Sequence, residues 1–357
     1  MALLLRRSPA TTALFLLLLH LLAAAVTGRR SHEISFRSPS LRPSSLLWDP
    51  TAQHFLVGSG DLPVVSSVSD AGVLETIIND PLLPPNSHFP VIALDDRRRR
   101  LLAAVASAGG DSAHIVAYDL QLSPPHRRVF LSPLPSSARP TAVAVDPSSG
   151  AAFVTSSGDN LIWRVDIQGE VTVFSSSAAY GEGGHVGLAG IARSRKGYFL
   201  ALQAPPGRIF RVDGDDGAAR LALIGGNGGA GAAAACIAVR RDGSAAVVGG
   251  DKARILVSDD GWSEAAVYDE VAIGGGKGRR VGGVAAREGS VYVLVAEDGH
   301  GGDGLRAEHR IEELEWEREK EGEWVVGLVL MGLGLAYFLY WRFQMGRLVT
   351  SMNKKRA

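Results

Sequence analysis

One pattern of hydrophobic and polar positions recurs six times between residues 43 and 295. Each copy begins with two or three apolar residues and a polar turn, and continues into a second strand that alternates or is rich in β-branched residues. The polar residues that end the first apolar run are spaced by 46, 51, 48, 46 and 47 residues. They are Asp49, Asp95, Asp146, Ser194, Arg240 and Arg287. A period of this length with three or four short strands is typical of β-propeller blades.

The repeat count sets the architecture. Helical solenoids with a similar period need apolar residues at helical spacing, and these segments lack it. The pattern therefore predicts an all-β fold, a six-bladed β-propeller over residues 29–320. Such a ring is closed by pairing strands from both ends of the chain, and residues 33–36 and 311–316 are the candidates. The glutamate-rich segment would then be partly an edge strand, where charge discourages pairing with other chains.

A hydrophobic segment near the N-terminus predicts a secretory signal. Arg6 and Arg7 precede an apolar run over residues 13–26, and small residues follow it. A charged start, an apolar middle and a small-residue end are the parts of a signal peptide, here over residues 1–28. An uncleaved anchor is the alternative, because the apolar run approaches membrane-spanning length.

A second hydrophobic segment predicts a transmembrane helix. Residues 324–341 contain no charge, begin and end with tryptophan, and would nearly span a hydrocarbon core of about 30 Å. A buried core helix would not explain the flanking charges. Residues 306–323 hold eight glutamates against four basic residues, whereas residues 342–357 hold five basic residues and no acid. The positive-inside rule therefore predicts a cytosolic tail over residues 342–357 and a luminal propeller.

The C-terminus carries a candidate retrieval signal. Lys354 and Lys355 occupy the fourth and third positions from the end of the chain. This placement resembles the dilysine signal that coat proteins recognise on type I membrane proteins of the endoplasmic reticulum, an address rather than an anchor. A basic flank attracted to anionic lipid would explain the charges but not their terminal position. The expected location is the endoplasmic reticulum membrane.

Composition excludes some classes of partner and one kind of cross-link. Lysine plus arginine equals aspartate plus glutamate at 37 each, so no overall charge favours nucleic acid and none is expected as a partner. The 43 glycines and 17 prolines suit a protein with many turns. The one cysteine, Cys236, excludes an intramolecular disulfide. It lies in an apolar run and is expected to be a small buried core residue rather than a nucleophile.

Three segments resemble a known family. Residues 43–49 (PSSLLWD), 143–147 (VAVDP) and 237–243 (IAVRRDG) are similar to motifs of the senescence-marker-protein, gluconolactonase and luciferin-regenerating-enzyme family. Its plant members are often called calcium-dependent phosphotriesterase-like proteins. The resemblance covers roughly residues 33–316. It implies a propeller whose tunnel mouth holds a divalent metal through a glutamate, asparagines and an aspartate, each just before an inner strand.

The corresponding positions of this chain lack those metal ligands. They lie five residues before each anchor and are occupied by Ser44, Pro90, Thr141, Ala189, Ala235 and Gly282. By this resemblance Ser44 replaces the glutamate, Thr141 and Ala189 replace the asparagines, and Ala235 replaces the aspartate. Two hydroxyls do not offset a divalent charge, and a bound water becomes a nucleophile only when such a cation polarises it. No metal and no catalytic residue is therefore expected at this ring.

Four other segments contain residues that could form a functional site, but their patterns are less specific. The loop at residues 297–303 contains Asp298, His300 and Asp303, which could bind a metal, although a solvated insertion in the sixth blade is favoured. Residues 97–100 are four arginines, expected to form a tight turn with exposed charge rather than an anion site. His185 could face the tunnel, but a structural role is favoured. The glycine-rich residues 225–231 lack the lysine and hydroxyl of a phosphate loop.

Two functions follow as hypotheses. The first is a membrane-anchored luminal propeller that acts as a non-catalytic binding or scaffolding module for an unknown protein or small ligand, with a degenerate metal site and no cofactor. The alternative is a lactonase- or phosphotriesterase-like hydrolase that would bind calcium through displaced ligands such as Asp298, His300 and Asp303. A strictosidine-synthase-like protein is a more distant alternative, for which the sequence offers no catalytic glutamate.

Overall fold

The structure is a computed structural model of the 357-residue chain. It describes residues 32–38, 41–107, 109, 112–135, 137–184, 187–223, 230, 235–274, 279–297, 308–315 and 321–354. Within these residues, 24 strands form six four-stranded antiparallel sheets, which are the six blades of a β-propeller. The prediction of an all-β six-bladed propeller is therefore confirmed.

The strands are numbered along the chain, and each of the first three blades uses four consecutive strands. The N-terminal strand, which belongs to the last blade, is β1 (Glu33–Arg37). Blade 1 contains β2 (Pro43–Asp49), β3 (His54–Ser59), β4 (Val64–Val68) and β5 (Leu74–Asn79). Blade 2 contains β6 (Ser87–Asp95), β7 (Arg100–Ser107), β8 (Ala113–Asp119) and β9 (Arg128–Pro133). Blade 3 contains β10 (Pro140–Val145), β11 (Ala152–Ser156), β12 (Ile162–Val165) and β13 (Val171–Ser175).

The second half of the ring repeats this arrangement. Blade 4 contains β14 (Gly190–Arg193), β15 (Phe199–Gln203), β16 (Arg208–Val212) and β17 (Ala219–Leu223). Blade 5 contains β18 (Cys236–Val239), β19 (Ala245–Gly249), β20 (Lys252–Val257) and β21 (Ala266–Ala272). Blade 6 contains β22 (Arg279–Arg287), β23 (Ser290–Glu297) and β24 (Glu308–Glu313), with β1 as its fourth strand.

The ring closes in blade 6. Strand β1 pairs antiparallel with β24, so that Ile34 lies opposite Ile311 and Phe36 opposite His309. The predicted closure by the two ends of the propeller sequence is therefore confirmed. The expectation that the glutamate-rich segment forms an edge strand is wrong for β24, because β24 lies between β1 and β23. The outer edge of blade 6 is β1.

Burial decreases from the inside of each blade outwards. The second strand of blade 3, β11, is buried at every position, whereas the outer strand of blade 5, β21, alternates between exposed and half-buried positions. Hydrophobic clusters fill the spaces between neighbouring blades; one joins Phe153 of blade 3 to Phe199 and Phe210 of blade 4. Packing between blades therefore forms the core, which agrees with the strongly apolar second strands in the sequence.

A helix follows the propeller. The helix α1 (Glu321–Lys354) belongs to a second compact unit that begins at Glu315. Large apolar side chains along it are exposed, including Met331 at 70% and Tyr337 at 71%. In the part of the chain that the structure describes, no helix has the combined length and mean hydropathy expected of a membrane span. The signal segment at residues 1–28 lies outside the described residues.

Candidate functional site: the central tunnel

The inner strands of all six blades surround a cavity of about 350 Å³. Consecutive residues of an inner strand line it, as Leu46 and Leu47 of β2 do. Side chains of consecutive strand residues point to opposite faces of a sheet. Each inner strand pairs with only one neighbour within its blade, so its free edge faces the cavity. Main-chain groups and uncharged side chains therefore form most of the tunnel wall.

Five of the six positions that correspond to the family's ligand ring line this tunnel. These are Ser44, Pro90, Thr141, Ala235 and Gly282. The sixth, Ala189, packs instead against the hydrophobic cluster between blades 4 and 5. The spacing rule that selected these positions thus located one end of the tunnel, although none of the six side chains is a carboxylate, amide or imidazole.

The two hydroxyls of this ring contact the neighbouring blade. Ser44 Oγ in blade 1 donates to the carbonyl oxygen of Phe89 in blade 2, at 3.0 Å. Thr141 Oγ1 in blade 3 donates to the carbonyl oxygen of Leu188, which precedes the inner strand of blade 4, at 2.6 Å. A hydroxyl has one hydrogen, and for Ser44 the contact with the neighbouring blade is shorter than the 3.3 Å to the carbonyl oxygen of Gly58 in its own blade. The ring positions that remain carry only apolar or glycine residues.

Metal-binding side chains do not converge at the tunnel. No group of three or more histidine, cysteine, aspartate or glutamate side chains suitable for a metal ion occurs among the described residues. Asp298, His300 and Asp303, the displaced ligands of the alternative hypothesis, lie outside the described residues, as does His185. Lys355 also lies outside them, and Lys354 is the last residue of α1.

The expectation for Cys236 requires a correction. Its side chain is half-buried and lines the tunnel beside Ala235, whereas the sequence predicted a core residue. The difference arises because Cys236 begins β18, where the inner-strand edge meets the cavity rather than a neighbouring blade. Burial raises the pKa of its thiol to about 11, which keeps the thiol protonated at neutral pH and disfavours a role as a nucleophile.

The opposite end of the inner strands carries charged contacts between blades. Arg99 of blade 2 binds Asp49 of blade 1 through both terminal nitrogens, each at 2.8 Å from a different carboxylate oxygen. Arg193 of blade 4 binds Asp146 of blade 3, with Nη2 at 2.5 Å from Oδ1. Arg287 of blade 6 binds Asp70 of blade 1 in the same bidentate manner.

The turn predicted at the four consecutive arginines is present, as a 3₁₀ helix over Asp96–Arg98, but the expectation of exposed charge is wrong for all of them except Arg97. Arg98 and Arg100 donate to carbonyl oxygens of the blade 3 turn, including those of Ser148 at 2.9 Å and Gly150 at 3.0 Å. Gly150 has a φ of +75°, and a Cβ there would lie 2.7 Å from Arg98 Nη1. Three of the four arginines thus hold neighbouring blades together. Arg97 makes one long contact, at 3.4 Å, with the carbonyl oxygen of Pro147.

Sequence patterns contain a signal for these contacts. An acidic residue ends the inner strand of one blade, and an arginine follows one repeat later. Asp49 and Arg99 are 50 residues apart, and Asp146 and Arg193 are 47 apart. Both aspartates are anchors of the repeat, but Arg99 lies four residues after the anchor Asp95 and Arg193 one residue before the anchor Ser194, so the repeat marks the acid of each pair and not its partner.

The carboxylate of Asp146 is stabilised in its charged form. Burial opposes ionisation, but hydrogen bonds from the hydroxyl and main-chain N–H groups of Ser148 and Ser149 outweigh it and lower the pKa. Arg193 supplies the counter-charge. Because these partners neutralise Asp146 internally, its carboxylate is not available as a base.

Comparisons with known proteins support the fold. No protein-family model and no curated protein sequence matches this chain. The major allergen Mala s 1 of Malassezia sympodialis is similar in structure, with a TM-score of 0.66 and 19% identity over 80% of this chain and 96% of the allergen. Virginiamycin B lyase from Staphylococcus aureus has a TM-score of 0.53 and 11% identity over 80% of this chain and 100% of the lyase.

A third solved structure extends this set. The PQQ-bound aldose sugar dehydrogenase from Streptomyces coelicolor has a TM-score of 0.50 and 17% identity, over 80% of this chain and 99% of the enzyme. Two of these three neighbours are enzymes by name. At such low identities the likeness shows a shared β-propeller fold alone.

Proposed function

We propose that this protein is a non-catalytic binding module, a divergent member of the gluconolactonase-like family with a degenerate metal site. The single observation that carries the proposal is the use of Ser44 and Thr141. Both residues stand at positions of the ligand ring, and both donate their hydroxyl hydrogens to carbonyl oxygens of the next blade. Residues that hold the ring of blades together have replaced residues that would hold a cation.

The electrostatics of the tunnel support the same proposal. A divalent cation needs oxygen ligands that carry enough negative charge to replace its hydration shell. The tunnel lining described here contains no carboxylate, and its one charged side chain is Arg193, a cation paired with Asp146. A second positive charge would be repelled. The cavity of about 350 Å³ is better suited to an uncharged small ligand or to loops of a partner protein.

We further propose that α1 anchors the propeller in the endoplasmic reticulum membrane, with the propeller in the lumen and the tail in the cytosol. The support is the uncharged stretch at residues 324–341, the basic tail after it and the exposed apolar side chains of α1. Exposed apolar surface of this extent favours contact with lipid or with another protein. Coat proteins that recognise Lys354 and Lys355 are the proposed cytosolic partners.

Absence of a metal site is testable on the full chain in detergent. We expect calorimetry to detect no calcium binding at the tunnel, and we expect no metal-dependent hydrolysis of lactones or organophosphates. A gain-of-site variant provides the matched control, because Ser44→Glu, Thr141→Asn and Ala235→Asp place residue types that the resemblance implies at three positions that line the tunnel. This variant should bind calcium at least about tenfold more tightly than the parent, about 1.4 kcal/mol. Calcium-dependent hydrolysis by the parent would contradict the proposal.

A hydrolase that uses displaced ligands predicts a different result. The parent would then hydrolyse a substrate, and alanine at Asp298, His300 and Asp303 would abolish that activity. Loss of activity in this triple variant would favour the alternative function.

The proposed subcellular location can be tested by changing two residues of the tail. Replacing Lys354 and Lys355 with serine in a tagged full chain should move the protein from the endoplasmic reticulum to later secretory compartments, because the coat-protein signal is lost. Substitution of Arg342 and Arg347 with serine is the matched control, since it removes equal charge from the tail but leaves the terminal lysines. The double-lysine variant should still resist extraction by alkaline carbonate. An unchanged location would refute the retrieval signal, and extraction of the parent would refute the anchor.

A further inference from the structure

A second, smaller pocket lies outside the tunnel, at the turns of blades 3 and 4. Its volume is about 180 Å³, and charged residues of both signs line it. This is below the about 300–1,000 Å³ that is typical of pockets for drug-sized ligands, so a small molecule is the appropriate size. The charged residues are Asp146, Arg193, Lys196, Arg211, Asp213 and Asp215.

One pair of these charges is already neutralised. Arg193 binds Asp146 through Nε and Nη2, and the Asp146 carboxylate accepts four further bonds from Ser148 and Ser149. This pair forms a fixed, neutral wall of the pocket. Recognition of a charged ligand therefore depends on the other four residues.

Arg211 is the strongest indication of a ligand. Its guanidinium is half-buried and lies 4.9 Å from the centre of the Tyr198 ring. Its Nε is buried and has no hydrogen-bond partner in the described part of the chain. A buried N–H donor without an acceptor is unfavourable. The stacking on Tyr198 holds the guanidinium in place but supplies no acceptor.

Two carboxylates, those of Asp213 and Asp215, also line the pocket. Asp213 lies just beyond the end of β16, two residues after Arg211, and both residues line the pocket. The only side-chain bond of Asp213 among the described residues is accepted from the main-chain N–H of Asp215, at 3.0 Å. Neither acid forms an ion pair with Lys196 or Arg211. The pocket thus presents two cations and two carboxylates that form no direct ion pair with one another.

We propose that this pocket binds a small zwitterion, specifically a free α-amino acid with a short side chain. The ligand carboxylate contacts Arg211 and Lys196, and the ligand ammonium group contacts Asp213 and Asp215. Both ligand charges are then compensated, whereas an anion alone would meet the two aspartates and a cation alone would meet Arg211. The four residues that contact the ligand do not line the tunnel, which shares only Arg193 with this pocket, and the site does not depend on the proposed function.

The test is calorimetry on the full chain in detergent with alanine as the probe, compared with propionate and ethylamine, which each keep one of its charges. Alanine should bind at least about tenfold more tightly than either analogue. Arg211→Gln and Asp213→Asn should each weaken alanine binding by at least about tenfold. The asparagine keeps the oxygen that accepts the Asp215 N–H, so the turn itself is retained.

Matched controls are available in the same blade. Arg220 lies opposite Arg211 on β17 and is exposed, and Asp216 is a turn aspartate; neither lines the pocket. Arg220→Gln and Asp216→Asn should leave alanine binding unchanged. Equal affinity for propionate would show a simple anion site and overturn the proposal. No saturable binding of alanine, or equal loss in the control variants, would overturn it as well.

Discussion

Replacing Arg99 with alanine should lower the free energy of unfolding of the propeller by about 3 kcal/mol. The Asp49 side chain is 2% exposed, and Arg99 is its only ionic partner among the described residues. Burial raises the pKa of Asp49, but the hydrogen bonds from Arg99 and Ala52 reverse this and lower it. Without Arg99 the carboxylate keeps only the N–H groups of Thr51 and Ala52, so the variant buries an uncompensated charge.

Chemical denaturation of the full chain in detergent measures this loss, and Arg97→Ala is the matched control. Arg97 belongs to the same run of arginines but makes one long contact with a carbonyl oxygen. Its removal should change stability by no more than about 0.5 kcal/mol. Adding Asp49→Asn to the Arg99 variant should restore part of the loss, because the amide carries no charge. Equal destabilisation by both arginine variants would show that Asp49 tolerates burial without a partner.

The sequence predicted the blades because each blade repeats the same local pattern. Strand pairing within a blade joins consecutive segments, so the alternation of apolar residues and the turn residues suffice to locate it. Ring closure was also predictable, because a propeller has to pair its two ends and only the segments around residues 34 and 311 were available. These features depend on local pattern and on topology, both of which a single sequence contains.

Contacts between blades were harder to predict. Arg98 and Arg100 reach carbonyl oxygens about 50 residues away, and no side-chain pattern marks a carbonyl as an acceptor. The same holds for Ser44 and Thr141, whose positions were predicted but whose partners were not. Side-chain identity predicted only that two hydroxyls would not offset the charge of a divalent cation. Only the geometry of the neighbouring blade shows what they do instead.

Cys236 illustrates the limit of a local pattern. An apolar run around it predicts a core position, but an inner strand has two buried faces and one free edge, and sequence alone does not distinguish them. The pocket on blades 3 and 4 was missed for a related reason. Its residues come from three separate turns, and the neutral pairing of Asp146 with Arg193 becomes visible only when blades 3 and 4 are placed side by side.

Acid should destabilise the closing blade through His309, and this is the second large effect that the structure predicts. His309 is 1% exposed and lies opposite Phe36 in the strand pair that closes the ring. Both of its ring nitrogens are buried, and neither makes a hydrogen bond of normal geometry within the described residues. Burial lowers the pKa of His309 from its ordinary value of 6.5 and outweighs the main chain of Leu41 and the charge of Glu297, which both raise it.

The direction of the pH dependence of stability follows from the lowered pKa of His309. As the pH falls through about 6.5, the unfolded chain binds a proton at His309 before the folded chain does, so the free energy of unfolding decreases. The loss continues until the pH reaches the lower pKa of the folded state, with a limiting slope of about 1.4 kcal/mol per pH unit. Glu312, whose pKa is raised by burial and by Glu33 opposite it, acts in the other direction at lower pH.

The contribution of His309 is measured by denaturing the full chain at pH values between about 7.5 and 5.5, the range in which histidine side chains titrate. We expect His309→Phe to flatten the pH dependence in this range, since phenylalanine keeps an aromatic ring against Phe36 and cannot be protonated. His88→Phe, which makes the same exchange at a half-buried histidine of blade 2, is the matched control. If the His309 variant loses stability towards acid as steeply as the parent does, proton binding at the ring closure is not the cause, because the aromatic contact is kept and only the titratable group is gone.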